Sequence, residues 1–130
     1  MKESMTLTVI LDTSPDQIYF AWLKSEQHTQ MTGGEAECGN SVGDNFTTWD
    51  GYIFGKNLEL TLNKEIIQSW RTTEFDDKDE DSKLIIRLEE VKEGTLLTLI
   101  HSNIPEGQTQ YKEGWEEHYF KPMQEFFEDK

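Results

Sequence analysis

Residues 6–11 read Thr-Leu-Thr-Val-Ile-Leu, an alternation rich in β-formers that predicts a first strand. Asp12 and Thr13 then turn the chain. Ser14-Pro15-Asp16-Gln17 is a helix start: Ser14 can cap, Pro15 suits the first helical position, and Gln17 completes a capping box. Ile18, Tyr19, Ala21, Trp22 and Leu23 follow with the spacing of one apolar helical stripe. A second short helix is predicted over 26–31, stopped by Gly33-Gly34.

Beyond residue 35 the period changes from helical to alternating. Strands are predicted at 35–38, 45–49, 52–62, 65–75, 83–91 and 95–102. Asp50-Gly51 is a strong hairpin signal between the second and third of these. Gly55 lies inside its strand and marks either a bulge or a close approach to the backbone. The two possibilities differ in consequence, because a bulge decides whether Ile53 or Phe54 points inward. Leu84, Ile86 and Leu88 share one face, as do Leu97, Leu99 and His101. From Gln108 onward the chain is helical, with Tyr111, Trp115, Tyr119, Met123 and Phe126 or Phe127 recurring about every four residues. Pro122 inside this helix should bend it near 118–121.

Strand, two short helices, a run of antiparallel strands and a long terminal helix make an α+β order. Such a sheet needs one face covered, and the aromatic helix is the available cover. The architecture expected is a helix-grip fold: a curved antiparallel sheet of six or seven strands gripping the C-terminal helix. One domain spans 1–130, since neither linker nor repeat interrupts the pattern.

Composition narrows the chemistry. The formal net charge is −14, with 26 Asp and Glu against 12 Lys and Arg. Phosphate backbones and anionic membranes are bound by basic side chains, so nucleic acid and membrane are excluded as partners. The acidity is read first as a solvated surface and second as a fit to a basic protein partner. Cys38 is the one cysteine, which rules out an internal disulfide and suits a reducing compartment. Residues 1–5 lack a signal-peptide core and the apolar runs are short, so a cytoplasmic location is expected. The Asp-rich run 76–81 lacks the Gly and Glu of a calcium loop, having Ser82 and Leu88 at those positions, and is read as a solvated hairpin loop. Arg71 should pair with a surface acid. Asn45-Phe46-Thr47 is an idle glycosylation sequon.

No catalytic or metal-ligating set stands out. His28, His101 and His118 are scattered over a helix, a strand and a helix, without metal-type spacing. His101 faces the inner side of its strand and could act as a base only with an orienting carboxylate. Cys38 sits beside Glu35 and Glu37, which disfavours its thiolate. The aromatics carry more promise. Phe46, Phe54, Trp70, Leu97, Leu99, His101, Tyr111, Trp115, Tyr119 and Met123 are the candidates to line a space between sheet and helix. Each alone reads as core; together, rings that cannot interdigitate leave a void suited to an apolar small molecule. Tyr111, Tyr119 and His101 would supply its polar groups.

Several segments, in order and spacing, also match a known family. They are Ser14-Pro15-Asp16-Gln17-Ile18-Tyr19, Gly33-Gly34, Gly43-Asp44-Asn45-Phe46 and Asp50-Gly51-Tyr52-Ile53-Phe54-Gly55. Ile66-Ile67-Gln68-Ser69-Trp70-Arg71, Thr95-Leu96-Leu97-Thr98-Leu99, Gly114-Trp115 and Tyr119-Phe120 follow. Over roughly residues 11–127 the chain resembles the family named for the C-terminal domain of the activator of the heat-shock protein 90 ATPase, within the START-like superfamily. The resemblance implies a helix-grip fold and no cofactor. It implies a non-catalytic binding module for an apolar small molecule or, alternatively, one that modulates a chaperone ATPase; the eukaryotic activators use two domains, and this chain resembles the second. A cyclase- or hydrolase-type enzyme ranks last and would need a polar cluster around His101.

Overall fold

A computed structural model describes residues 3–108 and 110–128. Met1 and Lys2 of the leader reading, Thr109 of the predicted terminal helix, and residues 129 and 130 of the single-domain span lie outside the described residues. The elements are β1 (Glu3–Leu11), α1 (Pro15–Leu23), α2 (Ser25–Thr32), β2 (Asn45–Thr48), β3 (Ile53–Thr61), β4 (Glu65–Thr72), β5 (Ser82–Val91) and β6 (Gly94–Ile104). A terminal helix follows in three parts: α3 (Tyr111–Trp115), a π-helical turn (Glu116–Phe120) and α4 (Lys121–Phe126).

The strands form one antiparallel sheet in the order β1-β6-β5-β4-β3-β2, so the expected helix-grip sheet has six strands. β2 to β6 is a meander, and β1 returns to pair with β6. The α1–α2 pair therefore carries the chain from one sheet edge to the other. Parity fixes the inner face. Leu97 and Leu99 on β6 stand beside Leu88 and Ile86 on β5, and Ile86 beside Ile66 on β4. Leu97, Leu99, Ile86 and Ile66 are all at 0% exposure.

Gly55 settles the alternative left open by the sequence. No register shift falls at Gly55; the irregularity lies between Asn57 and Glu59, where Leu58 is the extra residue and points to solvent. What Gly55 provides is a close approach: a Cβ there would sit 1.9 Å from the Ser69 carbonyl oxygen and 2.9 Å from the Phe46 ring. Ile53 consequently points inward and is buried, whereas Phe54, paired across from Arg71, lies on the outer face and is only partly covered. Phe54 is thus not an inward residue, because the extra residue of the bulge, Leu58, comes after Gly55 rather than at it.

Two other expectations change and a third is made specific. Ser14 does not cap α1 through its side chain, since its hydroxyl hydrogen-bonds the Asp16 carboxylate instead. The segment 35–38 is not a full strand but a single bridge, Glu37 to Thr47, made by two backbone bonds of 2.8 Å. The distortion expected of the terminal helix at Pro122 takes the form of a widened turn at Glu116–Phe120. Proline has no N–H and its ring would meet the His118 carbonyl in a regular helix. The preceding turn opens to π geometry, with the Lys121 N–H reaching back to the Glu116 carbonyl.

Candidate functional site

The helix lies on the sheet through rings. Tyr111, Trp115, Tyr119 and Met123 are all buried. Trp115 packs on Trp70 of β4 at 5.5 Å between centroids, on Trp22 of α1 at 6.4 Å and on Tyr119 at 4.8 Å. Trp70 in turn meets the Tyr111 ring edge-on at 5.1 Å. Truncating such a residue to Ala removes about 3–5 kcal/mol, so this interlock is a principal attachment of the helix.

Two buried histidines reinforce it. His101, at 0% exposure, accepts the indole N–H of Trp115 at Nδ1, 3.1 Å away. An indole nitrogen only donates, so the His101 proton resides on Nε2 and is given to Ser82 Oγ at 2.8 Å. The Ser82 hydroxyl donates to the Trp70 carbonyl at 2.6 Å. The order of donation runs from imidazole to serine, opposite to that of a base activating a nucleophile. Burial lowers the His101 pKa to about 3, keeping the ring neutral. His28 of α2 is built alike: Nδ1 donates to the Trp22 carbonyl at 2.9 Å and Nε2 accepts from the Tyr119 hydroxyl at 3.0 Å. The Tyr119 oxygen also lies 3.2 Å from Thr48 Oγ1. Burial brings the His28 pKa to about 4 and pushes the Cys38 thiol, 3.8 Å from His28 Nδ1, up to about 11. That thiol is not activated.

A buried chain of amides ties the α1–α2 excursion to the sheet. Trp22 Nε1 donates to Gln68 Oε1 at 3.2 Å, and Gln68 Nε2 donates to Asn57 Oδ1 at 2.8 Å. Asn57 Nδ2 donates to the carbonyls of Gly39 and Ser41 at 2.9 and 3.1 Å. Each side-chain amide thus finds partners inside the fold.

Because the rings beneath the helix interlock, the space is displaced to its flank. An open cleft of about 480 Å³ lies between the terminal helix and the β2–β3 turn. Its floor is Trp70, Tyr111, Trp115 and Tyr119; its opposite wall is Trp49, Tyr52 and Ile53; Gln110, Glu113, Glu117 and His118 form the rim. Gly114 faces this region on the helix, and a Cβ there would meet nothing within 4 Å. Trp49 is held in a left-handed backbone conformation, φ 53°, which is unfavourable for a bulky residue. Its ring lies against Gly34, where a Cβ would come 2.4 Å from it, and meets the His118 ring edge-on at 5.4 Å. The Tyr52 hydroxyl bonds the Glu74 carboxylate.

Of the expected lining residues, Trp70, Tyr111, Trp115 and Tyr119 border this cleft. Phe46, Leu97, Leu99, His101 and Met123 do not: they are buried and absent from its lining. Phe54 faces outward. Trp49, Tyr52 and Gly114 border the cleft and were not among the expected residues. A signal existed for two of them, since Gly114 flanks Trp115 on the helix and Trp49 precedes the Asp50-Gly51 turn. Arg71 pairs as expected, with Asp81 at 2.9 Å, and also donates to the carbonyls of Asp76 and Asp79, closing the acidic loop around a guanidinium. Among the described residues no cluster of metal-ligating side chains occurs, and no helix is long and apolar enough to cross a membrane.

A six-stranded antiparallel sheet gripping a terminal helix, with a cleft at the helix's flank, defines a helix-grip domain. Residues 12–128 match the family described as Activator of Hsp90 ATPase homolog 1-like protein, and the chain belongs to that family. It is 31% identical over 68 residues to activator of 90 kDa heat shock protein ATPase homolog 2 of Mus musculus, a match spanning 52% of this chain but 20% of that protein. Among solved structures it resembles PFC0360w, an HSP90 activator from Plasmodium falciparum, with 25% identity, TM-score 0.77, and coverage of 93% of this chain and 91% of that one. CalU16 from Micromonospora echinospora shares the fold at 23% identity and TM-score 0.80, covering 98% and 77% of the two chains.

Proposed function

We propose that this domain is a non-catalytic binding module that takes an apolar small molecule in the cleft beside its terminal helix. The observation that carries the reading is the aromatic floor and wall around about 480 Å³ of open space, onto which Gly114 presents no side chain. A void of this size with few polar groups suits a drug-sized apolar ligand. The non-catalytic part is supported by the direction of the Ser82–His101 hydrogen bonds, by the neutral imidazoles and by the raised Cys38 thiol.

A thermal-shift screen of aromatic and lipid-like compounds tests it. Ligand at a hundredfold excess over its dissociation constant adds about 2.7 kcal/mol to stability. A Gly114→Leu variant, which puts a side chain into the cleft, should fold and lose the response. Absence of any shift across the screen would remove the proposal.

A second reading has its own support in the mouse and Plasmodium relatives, both named as activators of the 90 kDa heat-shock protein. In it, this domain modulates a chaperone ATPase, and its acidic surface meets a basic patch on the chaperone. Chaperone turnover measured with saturating domain should change, and the change should fade as salt screens the contact. An unchanged rate counts against it.

A further inference from the structure

The charge pattern of the cleft points beyond apolar character to the sign of its ligand. Its lining presents Trp49, Tyr52, Trp70, Tyr111, Trp115 and Tyr119. Aromatic rings carry negative potential on their faces and attract cations, best where water is excluded. The ionisable residues of the rim are Glu113, Glu117 and His118; no Lys or Arg lines the cleft. The cation–π contacts present among the described residues, Lys24 over Phe20 and Arg71 over Phe75, involve none of these six rings. The cleft therefore offers aromatic surface not already satisfied by an internal cation, in a chain whose formal net charge is −14. An anionic ligand would meet the two carboxylates without a Lys or Arg to offset them, and a neutral one would leave the electrostatic component unused.

We propose that the cleft selects a lipophilic cation: a quaternary or protonated amine carried on an apolar or aromatic body, its charge held between the ring wall and the Glu113–Glu117 rim. This rests on the small-molecule reading above and deepens it. The apolar body would lie on the floor, over Trp70 and Trp115. The ammonium would lie toward the mouth, against Trp49 and Tyr52, with the exposed Glu113 and Glu117 on the rim across the cleft and some solvation kept.

Titration calorimetry of the full chain at low salt separates the two levels. Three probes of similar size serve: benzyltrimethylammonium, its neutral carbon isostere neopentylbenzene, and 3-phenylpropionate. The cation should bind roughly tenfold more tightly than the neutral isostere, as expected for a partly desolvated cation–π contact, and the anion should bind weakest. The Glu113→Gln/Glu117→Gln double variant should narrow the gap between cation and isostere to about threefold, leaving the isostere's affinity unchanged. These positions are exposed, so the variant should keep its wild-type melting profile. Neopentylbenzene binding as tightly as the cation would overturn the cation selectivity and leave the apolar cleft standing. Tighter binding of the anion would overturn it as well. If none of the three binds at millimolar concentration, both proposals fall together.

Discussion

Acidification from about pH 8 to about pH 5 should remove about 4 kcal/mol of folding stability through two imidazoles alone. His28 and His101 are buried and neutral, with pKa values lowered from the ordinary 6.5 to about 4 and about 3 by loss of solvent. Above pH 6.5 neither the folded nor the unfolded chain protonates them, and they contribute their full stabilisation. Below it the unfolded chain takes up protons that the folded chain refuses. Stability is therefore lost as the pH falls from 6.5 toward 4 for His28 and toward 3 for His101. At pH 5 the solution lies about 1.5 units below the unfolded-chain pKa of each ring, which at 1.36 kcal/mol per unit is about 2 kcal/mol apiece. The assay is urea unfolding by circular dichroism at half-unit intervals from pH 8 to pH 5. Toward pH 5 the slope of stability against pH should approach about two protons. His101→Asn places an amide oxygen near the Trp115 indole N–H, and His28→Asn an amide N–H near the Trp22 carbonyl; each should flatten the slope by about one proton. A wild-type slope well below one proton near pH 5, or a His101→Asn variant with undiminished slope, would refute the argument that burial holds these rings neutral.

Other expectations follow from packing and loops. Gly55→Ala should destabilise by roughly 2 kcal/mol or more, because its Cβ would drive against the Ser69 carbonyl; thermal melts check it. Met123→Ala, at a fully buried site on the terminal helix, should lose about 2–5 kcal/mol in chemical denaturation. Arg71→Ala should change global stability by less than about 1 kcal/mol, since the Arg71–Asp81 pair is only partly shielded, yet should speed proteolytic nicking between residues 76 and 81.

Periodicity read the fold well and the site only in part, for physical reasons. The alternation Leu84, Ile86, Leu88 and the four-residue recurrence Tyr111, Trp115, Tyr119 each report a buried face directly, and both faces lie where that rule puts them. Periodicity does not report which buried residues touch a void. Leu97, Leu99 and Met123 satisfy the same pattern as Trp115, yet are buried and absent from the cleft lining. Two residues that border the void are Gly114, which has no side chain, and Trp49, which sits in a left-handed backbone conformation, and neither belongs to an apolar repeat. The parity of Phe54 was illegible for a related reason, because the extra residue of β3 is Leu58, an apolar residue that carries no local mark of a bulge. Pro122 signalled a distortion of the terminal helix but not its form, the widened turn at Glu116–Phe120.

The placement of the four tryptophans gives the domain built-in optics. Trp22, Trp70 and Trp115 are at 3%, 3% and 2% exposure, while Trp49 is partly exposed at the cleft mouth. A collisional quencher such as acrylamide would reach the Trp49 indole most readily in the native state. Its red-edge emission would report events at the doorway, and the three shielded chromophores would stay blue-shifted until the whole molecule came apart.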